Sequence, residues 1–311
     1  MSETGPVVCI VGPTASGKSS LAERLAVTLG SAVVSVDAMQ VYRGMDIGTA
    51  KTPVDERACE LMMVDVCDVG DDYSVLLFQR DARACVDALL ASERTPVLCG
   101  GTGLYLDAVI DEMDFPAGQT GSEARERYEA IARDEGALAL HELLRGRDPK
   151  SAELIHPNNV RRVVRALEML DEGVSYAAKH EGLRARRPHY DALLFGITMD
   201  RERLYKRIDA RVDAMVEAGL VDEVRALAEE GLAETLTAMQ AIGYKEVVAY
   251  LDGALTLDEA IDEVKRRSRR YAKRQLSWLR RDGRVRWLDY DRLAEDEAAR
   301  IVLAALGGQE V

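Results

Sequence analysis

A glycine-rich turn near the start of the chain, Gly12–Ser19, constrains the fold more than any other feature of the sequence. Its letters, GPTASGKS, satisfy the pattern G-x-x-x-x-G-K-[ST], follow the apolar run Val7–Val11 and open a helical pattern. In such a turn, backbone N–H groups surround an anion at the N-terminus of a helix, whose dipole favours negative charge. The sequence therefore predicts a strand, a phosphate-binding loop and a helix in that order. The alternative is a turn that only caps the helix.

Two side chains supply the chemistry of this loop. Lys18 is predicted to neutralise phosphate oxygens, and the hydroxyl of Ser19 is predicted to bind Mg²⁺. The predicted pyrophosphate-binding residues are Gly12, Pro13, Thr14, Ala15, Ser16, Gly17, Lys18 and Ser19. Any molecule that carries a pyrophosphate satisfies them, so the loop alone leaves the ligand open. A nucleoside triphosphate, bound by a small-molecule kinase, is the default interpretation.

The first third of the chain alternates short β-rich runs with helical patterns, which is typical of a parallel sheet covered by helices. The predicted strands are Val7–Val11, Ala32–Val36, Met62–Val66, Pro96–Cys99, Ala192–Thr198 and Val285–Leu288. Charged helical sequence from about Ser122 to Leu170 indicates an insertion. We expect an α/β fold, a P-loop NTPase-like parallel sheet flanked by helices, with an inserted and mostly helical lobe. Residues 1–112 and 193–311 are predicted to form the catalytic core, and residues 113–192 the lobe.

The net charge of −13 is unfavourable for a nucleic-acid-binding protein, because affinity for a phosphate backbone comes mainly from clustered Lys and Arg. The distribution of charge changes that conclusion. Residues 265–286 contain eleven Lys or Arg and a single acid, Asp282. A long helix predicted over Leu257–Arg281 carries most of this cluster, so we expect a local basic surface on an acidic protein.

The five cysteines, at positions 9, 59, 67, 85 and 99, include no C-x-x-C pair. We interpret them as reduced thiols rather than as disulfides or zinc ligands. The sequence shows neither a basic-then-apolar leader nor an apolar run of bilayer length. A cytoplasmic protein without membrane contact is therefore expected, and we expect it to act as a monomer.

A carboxylate, Asp37, directly follows the second predicted strand. The carboxyl ends of adjacent parallel strands face the same crevice in a doubly wound sheet, so Asp37 is expected near the phosphate loop. A carboxylate in that place can act as a general base. The alternative is that Asp37 only caps the segment that follows it.

The segments GPTASGKS, SVDAMQVYRGMDIGTAK and CGGTGLYL together resemble the bacterial tRNA dimethylallyltransferase family, also called tRNA isopentenyltransferases. The resemblance continues in HPNNVRRVVRALEML (156–170), RIDARVDAMVEAGLVDEV (207–224), QAIGYKEV (240–247) and RRYAKRQLSWLR (269–280). It covers nearly the whole chain, and the order of the segments is highly specific. One departure is Leu61-Met62 ahead of Asp65, where the family often carries a pair of histidines, which weakens any role for that strand end.

The resemblance implies transfer of a dimethylallyl group from dimethylallyl pyrophosphate to N6 of the adenosine 3′-adjacent to the anticodon in tRNA, with release of pyrophosphate. It implies that Asp37 accepts the proton of N6 and that Arg211 binds the pyrophosphate. Lys18, Ser19 and Mg²⁺ complete the implied catalytic group. Without the resemblance, Arg211 would be taken for a solvated arginine on an amphipathic helix.

The resemblance also implies contacts to the anticodon stem-loop. The implied tRNA-binding residues are Asp37, Ala38, Met39, Gln40, Thr102, Arg161, Arg162, Arg165, Gln240 and Gly243. The target base is expected to be flipped out into a pocket, because chemistry on N6 needs access to its edge. The three arginines share one side of a predicted helix, which an ordinary helix with a solvated face would explain as well. The basic helix, with Tyr271 and Trp278, is a second candidate RNA surface.

Three alternatives stay open at this point. A small-molecule kinase would use the phosphate loop for ATP, although such kinases lack the later family segments. An adenylate isopentenyltransferase would share the chemistry but act on a free nucleotide, and the arginine-bearing lobe argues against it. A non-catalytic RNA-binding module would have no use for Asp37.

Overall fold

A computed structural model of the chain describes residues 5–71, 73–115, 122–184, 187–232, 235 and 237–308. Its strands are β1 (Val7–Val11), β2 (Val33–Val36), β3 (Leu61–Met62), β4 (Val97–Gly100), β5 (Ala192–Thr198) and β6 (Arg286–Asp289). Across the described residues these six strands form one sheet in the order β3-β2-β4-β1-β5-β6. Every pairing in that sheet is parallel.

Helices follow most of the strands and also make up the insertion. In the first part of the chain they are α1 (Lys18–Thr28), α2 (Val75–Ala91) and α3 (Gly103–Ile110). The insertion contains α4 (Glu123–Asp134), α5 (Ala137–Arg147), α6 (Pro149–Leu154), α7 (Val160–Asp171) and α8 (Tyr176–Arg184). The last part contains α9 (Arg201–Glu217), α10 (Leu220–Glu229), α11 (Tyr244–Leu251), α12 (Leu257–Leu279) and α13 (Glu295–Leu306). The predicted α/β fold with an inserted helical lobe is confirmed.

The strand β1 lies between β4 and β5, and all of its residues are buried. Its alternate side chains enter different hydrophobic clusters, with Cys9 in one and Ile10 in the other. This burial on both faces explains the uninterrupted apolar run in the sequence, because a parallel strand covered by helices has no solvent-facing side. The loops that leave the carboxyl ends of β1, β2 and β4 therefore meet at one edge of the sheet.

The third strand is shorter than the sequence predicted, and the prediction of a strand over Met62–Val66 is wrong. The strand β3 ends at Met62. Met63 and Asp65 adopt left-handed φ angles of 61° and 56°, which interrupt the extended conformation. The backbone N–H groups of Asp65 and Val66 then bond to the segment that follows β2. The apolar letters of this stretch therefore reflect burial beside a loop and not pairing within the sheet.

The chain divides into two compact units, one made of residues 1–111 and 188–311 and the other of residues 112–187. The first unit contains the whole sheet. The second contains α4 to α8 and has its own core. Buried members of that core include Tyr128, Leu140, Leu144, Val163 and Leu167. In the first unit, an antiparallel bridge joins Asp111 to Pro188, so the two ends of the interruption lie side by side.

All five cysteines are free thiols, and Cys9, Cys67 and Cys99 are buried. Among the described residues, no helix combines the length and the apolar character that crossing a bilayer requires.

Candidate active site

The predicted phosphate loop joins β1 to α1. Gly17 precedes α1 with a left-handed φ of 98°, and Ala15 has a positive φ of 62°. Helix α1 begins at Lys18, so its first backbone N–H groups, which have no intrahelical acceptor, are available to an anion held by the loop. The local geometry is thus that of an anion-binding turn.

Three cationic side chains border this loop. Arg207 donates from Nε to the carbonyl of Ala15 at 2.7 Å, and Arg211 donates from Nη1 to Oγ1 of Thr14 at 3.4 Å. Lys18 donates from Nζ to a loop carbonyl at 3.4 Å. Positive charge is therefore concentrated where an anion with several charges would bind.

Asp37 follows β2 directly and is half-buried. Its Oδ1 accepts a hydrogen bond from the backbone N–H of Met39 at 2.9 Å, so the carboxylate also supports the local turn. Burial lowers the pKa of Lys18 and of Arg211 from their ordinary values, while the carboxylate of Asp37 acts in the opposite direction on both. Asp37 therefore lies within electrostatic reach of the cations at the phosphate loop.

Two adjoining cavities meet at Asp37. The first, which we call the loop cavity, encloses about 790 Å³ of space that includes its opening to solvent. Its lining includes Lys18, Ser19, Gln40, Leu61, Cys99, Gly100 and Gln275. The second, the outer cavity, has a volume of about 1070 Å³. Its lining includes Ala38, Met39, Ile208, Val212, Met215, Gln240, Gly243 and Val264.

Five residues line both cavities and so mark the place where they join. They are Thr14, Asp37, Thr49, Arg211 and Tyr271. Burial raises the pKa of Tyr271 to about 12, and the charge of Asp37 adds to that effect. The Tyr271 hydroxyl therefore keeps its proton at neutral pH. The structure thus brings a carboxylate, a guanidinium, two threonine hydroxyls and a tyrosine hydroxyl to one junction.

The turn between β4 and α3 packs so closely against α12 that two of its positions, Gly101 and Gly103, have no room for a side chain. A Cβ at Gly101 would lie 2.1 Å from Nε2 of Gln275, and a Cβ at Gly103 would lie 2.1 Å from the tryptophan of α12. This close approach explains the letters GGTG. Thr102 lies between these glycines, and its hydroxyl is 3.3 Å from the hydroxyl of Tyr271. Thr102 therefore contacts a residue of the junction.

The segment after Asp37 divides between the two cavities. Ala38 and Met39 line the outer cavity, whereas Gln40 lines the loop cavity. The Gln40 carboxamide accepts from Oγ of Ser35 at 2.7 Å and donates to the carbonyl of Thr49 at 3.1 Å. The hydrogen bonds of Gln40 thus fix the wall of the loop cavity.

Gln240 and Gly243 lie on the wall of the outer cavity, before α11. Gly243 has a φ of 105°, which favours glycine, and its N–H donates to Oε2 of Glu246 at 2.8 Å. This hydrogen bond caps the N-terminus of α11, and so it fixes where the helix begins and where this part of the cavity wall ends.

The three lobe arginines lie on α7, in the second unit. Arg161 and Arg162 are exposed, while Val163 and the next valine are buried. Arg165 is half-buried and forms an ion pair with Glu168, with Nη1 and Oε2 separated by 3.6 Å. Two of the three predicted RNA contacts are thus on the surface of the lobe, and the third supports its interior.

Sequence reasoning missed Gln275, which is 5% exposed. Its Oε1 accepts from the backbone N–H of Thr14 at 2.9 Å, and its Nε2 donates to the carbonyl of Gly101 at 3.1 Å. A signal was present in the sequence, because Gln275 lies four positions after Tyr271 and shares its helix face. It is also an uncharged residue within the basic cluster.

Sequence reasoning also missed Glu223 on α10. Its carboxylate accepts from the backbone N–H groups of Ile47 and Gly48 at 2.6 and 3.1 Å, and from the hydroxyl of Tyr244 at 2.6 Å. The buried Lys51 ends the same loop, and its Nζ lies 2.6 Å from Oδ1 of Asp65. These contacts order the loop that carries Thr49 to the junction.

The chain resembles known proteins over nearly its whole length. A family model described as IPP transferase matches residues 40–282, and one described as Isopentenyl transferase matches residues 5–61. The chain is 44% identical, over 92% of both sequences, to a tRNA dimethylallyltransferase of Desulforudis audaxviator. It is similar to the crystal structure of the full-length tRNA isopentenylpyrophosphate transferase of Bacillus halodurans, at 41% identity, a TM-score of 0.71 and 98% coverage of both chains. It also matches a eukaryotic dimethylallyltransferase acting on tRNA, at 26% identity and a TM-score of 0.81, covering 99% of this chain and 81% of that one.

Proposed function

This chain belongs to the IPP transferase family and prenylates tRNA, and we propose that the loop cavity holds the prenyl donor while the outer cavity receives the acceptor base. The proposed donor is dimethylallyl pyrophosphate, and the proposed acceptor atom is N6 of the adenosine 3′-adjacent to the anticodon. One observation carries this proposal: Asp37 lines both the cavity that contains the phosphate loop and the cavity beside it.

The loop cavity suits a pyrophosphate leaving group. Backbone N–H groups of the loop and of the first turn of α1 would bind its oxygens, with Lys18 and Arg211 beside them. Negative charge builds on the pyrophosphate as the bond between C1 and oxygen breaks. Fixed donors and cations at those oxygens therefore stabilise the transition state more than the ground state.

Ser19 suits a magnesium ion bound to the pyrophosphate. It is exposed in the first turn of α1 and lines the loop cavity. Within the described residues, no group of three or more His, Cys, Asp or Glu could hold a metal ion by itself. A position with a single hydroxyl fits Mg²⁺, which takes few protein ligands and completes its shell with substrate phosphates and water. Bound there, the ion would neutralise charge on the leaving group.

Asp37 would act on the acceptor. N6 is a weak nucleophile because its lone pair is delocalised into the purine. As its bond to C1 forms, N6 must lose a proton, because the nitrogen would otherwise carry a positive charge. A carboxylate at the junction of the cavities can take that proton while pyrophosphate departs on the loop side. Apolar side chains that line the outer cavity, among them Met39 and Val212, would hold the flat base in place.

Transfer of labelled dimethylallyl groups from the pyrophosphate to unmodified tRNA tests this proposal. We expect Asp37→Asn to lower turnover by about 10²- to 10⁴-fold, the usual contribution of a general base, while tRNA binding is retained. The matched control is Asp55→Asn, which alters an exposed carboxylate and should leave turnover unchanged.

Three outcomes would contradict the proposal. The first is ATP-dependent phosphorylation of a small acceptor with no label in tRNA, which would indicate a kinase. The second is transfer to AMP at the rate seen with tRNA, which would indicate a nucleotide acceptor. Unchanged turnover of Asp37→Asn would remove this carboxylate from the mechanism.

A further inference from the structure

Gln275 connects the two sides of the proposed active site through one side chain. Its Oε1 accepts the N–H of Thr14 in the phosphate loop, and its Nε2 donates to the carbonyl of Gly101 in the turn before Thr102. It is 5% exposed and lines the loop cavity. One residue of α12 thus holds the loop that would bind the leaving group and the turn that contacts Tyr271.

The two contacts require a carboxamide. Thr14 presents a donor and Gly101 presents an acceptor, and a carboxamide offers both an acceptor and a donor at fixed spacing. A carboxylate could accept from Thr14 but could not donate to Gly101. An ammonium could donate to Gly101 but could not accept from Thr14. A Cβ at Gly101 would lie 2.1 Å from Nε2 and 2.7 Å from the carbonyl oxygen of Gly12, so the three segments touch at this point.

We propose that Gln275 is a positioning residue for prenyl transfer, which sets the distance between the leaving group on the phosphate loop and the acceptor at Asp37. This inference rests on the proposed function. The anion would bind mainly to backbone N–H groups beyond Thr14 and to Lys18, which Gln275 does not contact. Loss of Gln275 would therefore misalign the reacting atoms while leaving ground-state binding in place.

The expected result is a split between kcat and KM. A displacement of about 1 Å at reacting atoms costs on the order of 10²-fold in rate, so we expect Gln275→Met to lower kcat by about 10- to 100-fold. The KM values for donor and for tRNA should stay within about threefold, because uniform binding is retained. Steady-state kinetics with labelled donor and tRNA give all three quantities.

Gln79→Met is the matched control. Gln79 is also buried, at 7% exposure, and donates from Nε2 to a helix carbonyl, that of Ala108, at 2.8 Å. It lies outside both cavities. A purely structural role predicts equal effects of the two variants on denaturation and on kcat. The positioning role predicts that only Gln275→Met lowers kcat.

A second variant serves if Gln275→Met fails to fold. In Gln275→Glu, an ionised carboxyl accepts from Thr14 but cannot donate to Gly101, and protonation restores the donor. The kcat of this variant relative to wild type should therefore rise as pH falls. The ratio cancels titration of the other ionisable groups on the cavity wall. Those groups are Lys18, Glu23, Asp37, Arg57, Cys59, Cys99, Arg211 and Tyr271.

Two results would overturn the inference. One is a kcat of Gln275→Met equal to that of Gln79→Met. The other is a rise in donor KM at constant kcat, which would make Gln275 an ordinary support of ground-state binding. Absence of tRNA prenylation by the wild type would instead refute the proposed function, so the two failures can be told apart.

Discussion

Lys18 shows how a single residue can connect binding with stability. Lys18 is half-buried at the start of α1, and the burial of its ammonium lowers its pKa below the ordinary value of a lysine. A partly buried cation without its anion is a cost to the free protein, because the charged form loses hydration. In the proposed function, pyrophosphate binds the same cation and replaces that hydration.

We expect opposite pH responses of binding and stability at alkaline pH. As pH rises through the lowered pKa of Lys18, the ammonium loses its proton, so the donor KM should increase. Over the same range the unfolded state holds more protons than the folded state, so the free energy of unfolding of the ligand-free protein should increase. Donor kinetics and urea denaturation across the alkaline range measure the two trends.

Two variants control this prediction. Lys18→Met should lack the alkaline rise in the free energy of unfolding, and Lys150→Met, which alters an exposed lysine, should keep it. A rise of equal size in Lys18→Met would assign the effect to another group.

At the residue scale, the sequence predicts the side chains that belong to recognisable motifs. It does not predict the side chains that hold those motifs in position. Lys18, Ser19 and Asp37 belong to local patterns next to strands, so their joint placement follows from a parallel sheet. Gln275 bonds to Thr14 across 261 positions of sequence. No local pattern contains such a contact, since it depends on how α12 packs in the finished fold.

At the scale of elements, a helix orders part of the loop from β2 to β3. Glu223 on α10 accepts backbone N–H groups of Ile47 and Gly48, and a Cβ at Gly48 would lie 2.5 Å from the ring of Tyr244. The loop therefore has the hydrogen-bond partners that a strand would have supplied.

We expect Glu223→Gln to destabilise the protein by about 1–3 kcal/mol, because the amide NH₂ that replaces one carboxylate oxygen cannot accept the bonds that this oxygen accepts. Urea denaturation measures the loss, and hydrogen exchange at residues 46–48 should accelerate beyond the global change. The control is Asp222→Asn, the preceding residue, whose carboxylate is 80% exposed. Equal effects of the two substitutions would mean that the loop does not depend on Glu223.

The elements themselves were predicted with unequal success. Helix α12 begins at Leu257 as predicted, because Thr256 and Glu259 form a capping box that is visible in the sequence. The third strand was predicted too long, because Met63 and Asp65 adopt left-handed φ angles although neither is a glycine. The sequence therefore contains no glycine that would mark the end of the strand. Apolar letters report burial, and burial occurs in loops as well as in strands.

At the scale of the whole molecule, charge is distributed unevenly along the chain. The chain has a net charge of −13, yet exposed arginines lie on α7 and a basic cluster lies along α12. The inserted lobe was predictable from its charged helical composition, whereas its role in tRNA binding stays a prediction that rests on the resemblance. The ion pair of Arg165 with Glu168 was not predictable, because residues three apart on a helix can face solvent or a neighbouring helix.

We expect removal of the exposed lobe arginines to weaken tRNA binding. In Arg161→Ala with Arg162→Ala, the slope of log affinity against log salt should fall by about 1 for each arginine that contacts a phosphate. The donor KM should not change. Titration of tRNA at several salt concentrations measures the slope, and Arg133→Ala, an exposed arginine on α4, is the control. An unaltered slope would exclude α7 from the RNA-binding surface.

The bridge between Asp111 and Pro188 has a consequence for how such an enzyme can diversify. The chain leaves the sheet-bearing unit at Asp111 and re-enters it at Pro188, and these two residues are neighbours. The stretch between them therefore contributes nothing to the register of any strand. Because the entropy of closing a loop grows only slowly with its length, that stretch can be lengthened, shortened or exchanged at small thermodynamic cost. The sheet-bearing unit can therefore keep its fold while residues 112–187 vary in length and sequence.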